Sequence, residues 1–590
     1  MNYMRLLAFA TITLFSVAAC NKSEEVAEVT ISEASSNLFA FVPADTPYLA
    51  GNLQAPPNEV IDTFLQRAEP VLDTVQQEMH KTREAIENEN EAGTGGKVDS
   101  PQLDMPERLA HAVLQELDGK LNRAGLESLG FDLQSSKVVY GMGIFPVMRV
   151  GLSDESAFRE SIQRILENAG INAPELNFQG DSYWRLSDDE SFGLYIAIMQ
   201  GHLAIGAFPK LGEAEFLPAF LGQSLPSNST AAARLSELNA KHQYTPFGSG
   251  ILDLNRVMDE FLSADSVLAQ MIAAHGENDF SDMGPECEAE IREIVSHTPR
   301  FTVGTREFST TAIAMQYRVE TESTLAQELM GLVAEIPAAN LLSKKIFEFS
   351  FGMRFGAVRD FLRTKVAAII EDPFQCEGLQ DFNDSATEAY AQLNQPMPPF
   401  VNNFRGVRLG LSELSGMDSI PESASGLAAV YVEKPEMFVG MAQMFLPDLS
   451  ELSLTPGDAP VQLPETLITM SGQVAFAALS DNAIGLSLGA GEESGLISFL
   501  ADEPGPAGMF LSASYDMATY LQYTQNFANQ MEDYDTDGMD MDPDHRVHYQ
   551  SFRNIQESAQ NAFKSFADRS ELTMRFTSDG FVTDSRMTFK

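Results

Sequence analysis

Two stretches of this chain pass through the same succession of elements about 280 residues apart, and no other feature narrows the choice of fold as much. Val150-Gly-Leu-Ser-Asp-Glu-Ser-Ala-Phe158 reads as a strand entering a helix that carries Ile162 and Leu166. Val430-Tyr-Val-Glu-Lys-Pro-Glu-Met-Phe438 reads the same way, with Ala442 and Leu446 in the matching places. A hairpin follows in each stretch: Leu194 to Ala207, turning at Gln200-Gly201, and Val474 to Leu488, turning near Ser480-Asp481. The separation is 280 from Phe158 to Phe438 and slips to 279 from Ala204 to Ala483. Each stretch then offers a strand running into a helix, Gly250 to Met258 and Met509 to Met517. Each closes on two strands, Arg300 to Val319 and Glu571 to Phe589, the second pair with the hairpin dipeptide Asp579-Gly580. The expected fold is α+β: two similar tandem units of short antiparallel sheets with helices, over 39–322 and 401–590. A helical connector, 323–400, joins them; it holds the strand-like Phe347-Glu-Phe-Ser-Phe351 and a helix over 357–370.

The first unit opens with Phe39 to Leu53 (FAFVPADTPYLAGNL), a turn and a strand. Its Pro-Ala-Asp-Thr-Pro run resembles the opening of some uncharacterised bacterial envelope proteins. A helix follows with Val60, Ile61, Phe64, Leu65, Ala68, Leu72, Val75 and Met79 on one stripe, and Pro70 is expected to kink it or begin a second helix. Asn88 to Ser100 is polar and glycine-rich, an exposed loop, and a further helix spans Pro106 to Leu117.

Ahead of all this stands a leader. Met1 to Arg5 carries one positive charge, and Leu6 to Val17 is an apolar stretch too short to span a bilayer, which takes ~20 residues. Val17-Ala18-Ala19-Cys20 closes it and resembles the lipobox of bacterial lipoproteins. That resemblance implies a signal peptide over 1–19, cleavage before Cys20, and a thioether-linked diacylglycerol with palmitate-like chains on that cysteine. Val17 stands where leucine is usual. Asn21 follows the cysteine where an aspartate would retain the protein in the inner membrane, so the family's sorting pattern implies the periplasmic face of the outer membrane. Several acyl chains on one residue anchor stably where one would not. Residues 20–38 are polar and acidic, a tether between membrane and body.

The 590 residues, 44% of them hydrophobic, are too many for one ordinary domain. A formal charge of −46 is repelled by phosphate backbones, so nucleic acid is not an expected partner. Acidic residues are spread along the whole chain, which fits a solubilised surface better than an acidic binding face. Beyond Cys20 only Cys287 and Cys376 remain; in an exported chain they are expected to pair, the alternative being two buried thiols.

The sharpest local chemistry is Asp533-Tyr-Asp535-Thr-Asp537-Gly538, whose alternating carboxylates and sixth-position glycine resemble a calcium loop of the EF-hand kind. Position nine is Met541, which cannot ligate, and position twelve is Asp544 instead of a bidentate glutamate, departures that favour a solvated acidic loop. Calcium is nonetheless the one cofactor the sequence offers, with Asp533, Asp535, Asp537 and Asp544 as ligands. His545 and His548 share a helical face but lack a matched third ligand for a transition metal, and the other histidines are scattered. Phe247-Gly-Ser249-Gly is not a nucleophile elbow, and Gly489-Ala-Gly491-Glu-Glu-Ser494 misses the last glycine of a dinucleotide fingerprint. Met437, Met441 and Met444 have helical spacing and read first as a core stripe, second as a groove for a partner helix or apolar ligand. The expected function is that of a lipid-anchored envelope protein that binds or scaffolds without catalysis. Two alternatives stand beside it: a hydrolase whose site assembles from distant segments, and a calcium-modulated binding module.

Overall fold

The computed structural model describes residues 38–91, 105–186, 192–226, 229–274, 284–415, 423–450, 452–467, 473–524 and 543–590. Its strands are β1 (Tyr48–Gly51), β2 (Lys137–Met142), β3 (Phe145–Gly151), β4 (Leu176–Phe178), β5 (Asp181–Leu186), β6 (Phe192–Met199), β7 (His202–Pro209), β8 (Ser249–Asp253), β9 (Arg300–Phe308) and β10 (Ala312–Glu320). There follow β11 (Phe347–Gly352), β12 (Phe404–Ser415), β13 (Ser423–Val432), β14 (Val461–Gln462), β15 (Ala475–Leu479), β16 (Ala483–Leu488), β17 (Met509–Asp516), β18 (Ala567–Thr577) and β19 (Gly580–Phe589). The class is α+β, as the sequence implies. The strands do not form separate short sheets, however: all 19 join in one. Pairing runs β4-β5-β6-β7-β3-β2-β1-β8-β9-β10, crosses to β19, and continues β18-β17-β11-β12-β13-β16-β15-β14, every pair antiparallel. The edge strands β4 and β14 have only 3 and 2 residues.

Local chemistry sets the turns and helix starts. Gln200 and Gly201 both have positive φ (48° and 77°), the backbone twist that two-residue hairpins favour, and they link β6 to β7. Between β18 and β19 the turn falls on Ser578-Asp579, one residue before the expected dipeptide, and Gly580 (φ 132°) begins the returning strand. Asp154 caps the helix Glu155–Asn168 by accepting from the amides of Ser156 and Ala157. Asp253 at the end of β8 and Asp516 at the end of β17 each accept from the amide three residues on, Arg256 and Thr519. Pro70 does not break its helix: Asn58–Glu91 is continuous, and the Pro70 carbonyl accepts from Thr74 Oγ1 (3.0 Å) and Ser558 Oγ (3.3 Å). Phe347–Gly352, expected within a helical connector, lies inside the sheet between β17 and β12.

One face of the sheet is closed. Over the first half the helices Glu213–Phe220 and Ala231–His242 and residues 38–42 cover a core of Tyr140, Val147, Tyr195, Phe208, Phe220 and Leu235. Over the second half the helix Glu493–Ala501 and residues 334–336 cover Leu427, Ala429, Tyr431, Ala478 and Ala483. The opposite face is covered only in places. Helix Glu155–Asn168 packs Phe158, Ile162 and Leu166 onto Trp184, Leu186 and Ile198. Val60 and Phe64, from the start of helix Asn58–Glu91, pack with Phe308 and Phe589. Much of the rest of that face is apolar, with Ser570, Thr583 and Ser585 among the exceptions. From Ile205 on β7 to Ile484 on β16 the register aligns one residue from each of fourteen strands, all apolar or glycine except Thr583.

The halves clasp each other twice beyond the β10–β19 pair. Helix Asn58–Glu91 packs along helix Pro543–Phe566, with Thr74 and Ser558 hydroxyls 2.7 Å apart. Cys287, in helix Pro285–Ser296, is disulfide-bonded to Cys376 across 89 positions, with Cα atoms 4.5 Å apart. The Glu290 carboxylate accepts from the amides of Gln375 and Cys376, which fixes the approach of that segment.

Candidate functional site

At the junction of the halves the open face sinks into a trough of about 400 Å³. Its walls come from β1 (Tyr48, Ala50), β8 (Gly250, Leu252), β9 (Phe301, Val303), β10 (Tyr317, Val319) and β19 (Phe581). Registry builds it: Tyr48 opposes Leu252, Leu252 opposes Phe301, Phe301 opposes Val319, and Val319 opposes Phe581. Alternation along each strand then places these side chains on one side. Gly250 keeps the floor low, because a Cβ there would sit 3.0 Å from that of Ala50. Phe301 and Tyr317 stay 40% and 47% exposed, more than large side chains facing a filled core would be. Beyond Phe581 the aromatic surface continues through Phe576 and Phe510, whose ring centroids are 4.9 Å apart.

Of the polar groups around the trough, Tyr48 and Arg318 have partners, while Thr302 Oγ1 and Arg318 Nε are buried without one among the described residues. The Tyr48 hydroxyl donates to the Ile144 carbonyl at 3.0 Å, and burial pushes its pKa up to about 12, so it stays protonated. The Arg318 guanidinium donates to Gln316 Oε1 and Asp579 Oδ1, both at 3.2 Å. Among the described residues that line it there is no nucleophile–base pair. Such a surface buries an apolar body, each Phe or Leu side chain that it covers gaining roughly 1.5–3 kcal/mol.

The closed face holds the ionisable groups. Arg149 on β3 is fully buried: it donates to the Tyr140 hydroxyl (3.0 Å), His202 Nε2 (2.7 Å) and the Phe220 carbonyl (2.7 Å), and stacks over the Phe41 ring. His202 Nε2 must accept there, so its proton sits on Nδ1. Burial, with the Arg149 cation beside it, pushes the His202 pKa down to about 3. In the second half Arg408 on β12 repeats the arrangement: it donates to the Phe499 carbonyl (3.0 Å) and Asp502 (2.7 Å) and stacks over the Phe499 ring. Glu320 on β10 lies under Arg300 (2.6 Å) and Lys241 (2.9 Å), with His242 at 3.7 Å. Burial alone would raise its pKa, but hydrogen bonds from His242 and Lys241 and the charges of Arg300 and Lys241 outweigh it and hold it at about 2. These partners hold Arg149, Arg408 and Glu320 in place, whereas the buried Glu348 of β11 keeps its Oε2 without a hydrogen-bond partner among the described residues.

Of the residues singled out in sequence, Cys20, Asp533, Asp535 and Asp537 lie outside the described residues, and Asp544 falls in helix Pro543–Phe566. Among the described residues no three His, Cys, Asp or Glu side chains gather as metal ligands, and no helix is long and apolar enough to cross a membrane. Met437 and Met444 are 37% and 81% exposed, so their helix does not form the packed core stripe that its spacing suggests. Sequence inspection missed the trough and the paired arginines. Strands with apolar residues on alternate positions were visible, but not which of their faces stays open. No family model matches the chain, and neither curated proteins nor solved structures give a match.

Proposed function

We propose that this chain is a lipoprotein of the bacterial envelope, exported, acylated on Cys20 and held at the periplasmic face of the outer membrane, where it binds an apolar partner without catalysing a reaction. The trough between the halves carries the proposal: it is apolar, open, and free of catalytic pairing. The leader and its Val17-Ala18-Ala19-Cys20 box support the address. A bonded Cys287–Cys376 pair suits an oxidising compartment.

The body is, on this view, a duplicated α+β unit. Support comes from strand order: β5-β6-β7-β3-β2-β1-β8-β9-β10 and β14-β15-β16-β13-β12-β11-β17-β18-β19 are the same arrangement, met at β10–β19. Phe220 and Phe499, each offering its carbonyl and ring to a buried arginine, stand 279 positions apart, the same separation as Ala204 and Ala483. The second copy thus begins near β11, and no separate connector is needed.

Two measurements test the function. A photo-crosslinking side chain placed at Tyr317 in the full-length protein should capture an envelope component on illumination of intact cells, and adding Phe301→Asp should abolish the adduct. Intact-mass analysis of the native product should find the mature chain starting at an acylated Cys20. An unmodified thiol there, or no adduct at position 317, sinks the proposal.

A further inference from the structure

The two halves treat one face of the sheet differently. In the first, helix Glu155–Asn168 leaves β3 and closes over it, so that Phe158 is 8% and Leu166 7% exposed. In the second, helix Pro435–Phe445 leaves β13 at the matching place but does not close: Leu446, 280 positions after Leu166, is 46% exposed, and Phe445 is 82% exposed. Among the described residues nothing closes over the sheet it would have covered, whose side chains are half-buried to exposed. Phe349, Leu409, Ala428 and Leu486 form one cross-strand row over β11, β12, β13 and β16, and Leu409 and Leu486 are 36% and 42% exposed.

Two arguments favour a hydrocarbon chain over an added strand on this face. The backbone amides of β12 and β13 are paired on both sides, so a peptide strand laid on the face would leave its own amides without partners, at a cost of roughly 1–3 kcal/mol for each buried group. A hydrocarbon chain has no such groups. Cys20 stands 18 residues before Leu38, where the described structure begins, a span of at most ~65 Å at ~3.6 Å per residue. An acylated Cys20 therefore keeps the body beside a bilayer, whose acyl chains are the apolar material at hand. A chain moved from bilayer to this face exchanges one hydrocarbon environment for another, which keeps the transfer near balance. We propose that the face of β11, β12, β13 and β16 is a second apolar site, apart from the trough, that takes an acyl chain of a membrane lipid, with helix Pro435–Phe445 as its cover. This inference rests on the anchored envelope protein proposed above.

The test uses the acylated full-length protein in vesicles of phosphatidylethanolamine and phosphatidylglycerol, with a trace of phosphatidylethanolamine bearing a diazirine at the end of one acyl chain. Illumination should place cross-links on β12, β13 and β16 and on Met444 to Leu446. The yield should fall at least tenfold in a Leu409→Asp, Leu486→Asp double variant whose near-ultraviolet circular dichroism is unchanged. Cross-links confined to the trough around Phe301 and Tyr317 overturn the second site and leave the trough's role standing; cross-links absent from the whole folded body overturn it as well. In a Met444→Cys, Leu486→Cys variant, a disulfide that forms without lipid and to the same extent with it identifies the helix itself as the occupant and also overturns the proposal. A disulfide that lipid suppresses supports it.

Discussion

At the scale of single residues, the buried cations decide most. Among the described residues Arg149 has no carboxylate partner; three neutral acceptors and two aromatic rings hold it. Truncation removes the donor from all three at once. Arg149→Ala is expected to cost about 3–5 kcal/mol in urea unfolding, and Arg408→Ala somewhat less, because Asp502 is half exposed and regains water. Equal and negligible costs would deny both arginines a structural role. His202 makes the first half acid-sensitive. Its folded pKa, about 3, lies below the ordinary histidine value of 6.5, so the unfolded chain takes up the proton first. The stability contributed by keeping this ring neutral is complete above pH 6.5 and drains away as pH falls toward 3, by on the order of 4–5 kcal/mol in all. Urea midpoints measured between pH 7 and 4 should therefore fall more steeply for the native protein than for His202→Gln. Parallel pH profiles would mean that His202 is not buried neutral.

Among the elements, β10 shows what the sequence could and could not disclose. Its period-two alternation is plain, with Ile313, Met315, Tyr317 and Val319 against Gln316, Arg318 and Glu320. An antiparallel strand usually turns the apolar set inward. Here the polar set is inside, with Gln316 fully buried and Tyr317 the exposed one. The partners that make this tolerable, Lys241 and Tyr244, Arg300, and Asp579 and Asp584, come from three other segments, so no local window contains the reason. Elements whose cause is local were legible: the Gln200-Gly201 hairpin, the amphipathic helix of Ile162 and Leu166, the helix of Val60 and Phe64. The trough was not, since its lining is drawn by registry from strands as far apart as those of Tyr48 and Phe581, 581 − 48 = 533 positions. Glycine tests the packing at this scale. A Cβ on Gly304 of β9 would lie 2.0 Å from the Tyr244 ring, which is itself buried. Gly304→Ala should destabilise by about 3 kcal/mol or more. Gly440→Ala, in helix Pro435–Phe445 with nothing within 4 Å of the new atom, should stabilise by up to ~1 kcal/mol. Urea titration reads both, and like signs would show the strand's packing to be looser than described.

For the whole molecule, the disulfide ties a helix of the first half to the second. Closing a loop of 89 positions restricts the unfolded chain by roughly 4–5 kcal/mol in the loop-closure treatment. A Cys287→Ser, Cys376→Ser variant should therefore unfold at lower urea than the oxidised protein and should no longer respond to reductant; indifference of the native protein to reductant would contradict the link. Sequence repetition pointed to two like units but not to their fusion into a single sheet, because the β10–β19 seam joins residues that no repeat-internal pattern relates. Among the described residues that fusion leaves nineteen strands with two margins, and both are stubs, Leu176–Phe178 and Val461–Gln462. A broad ribbon with long free borders would template side-by-side stacking of one molecule onto the next, the route to fibres. Margins of three and two residues offer a neighbour few open amides of their own, which disfavours edge-to-edge stacking along β4 and β14.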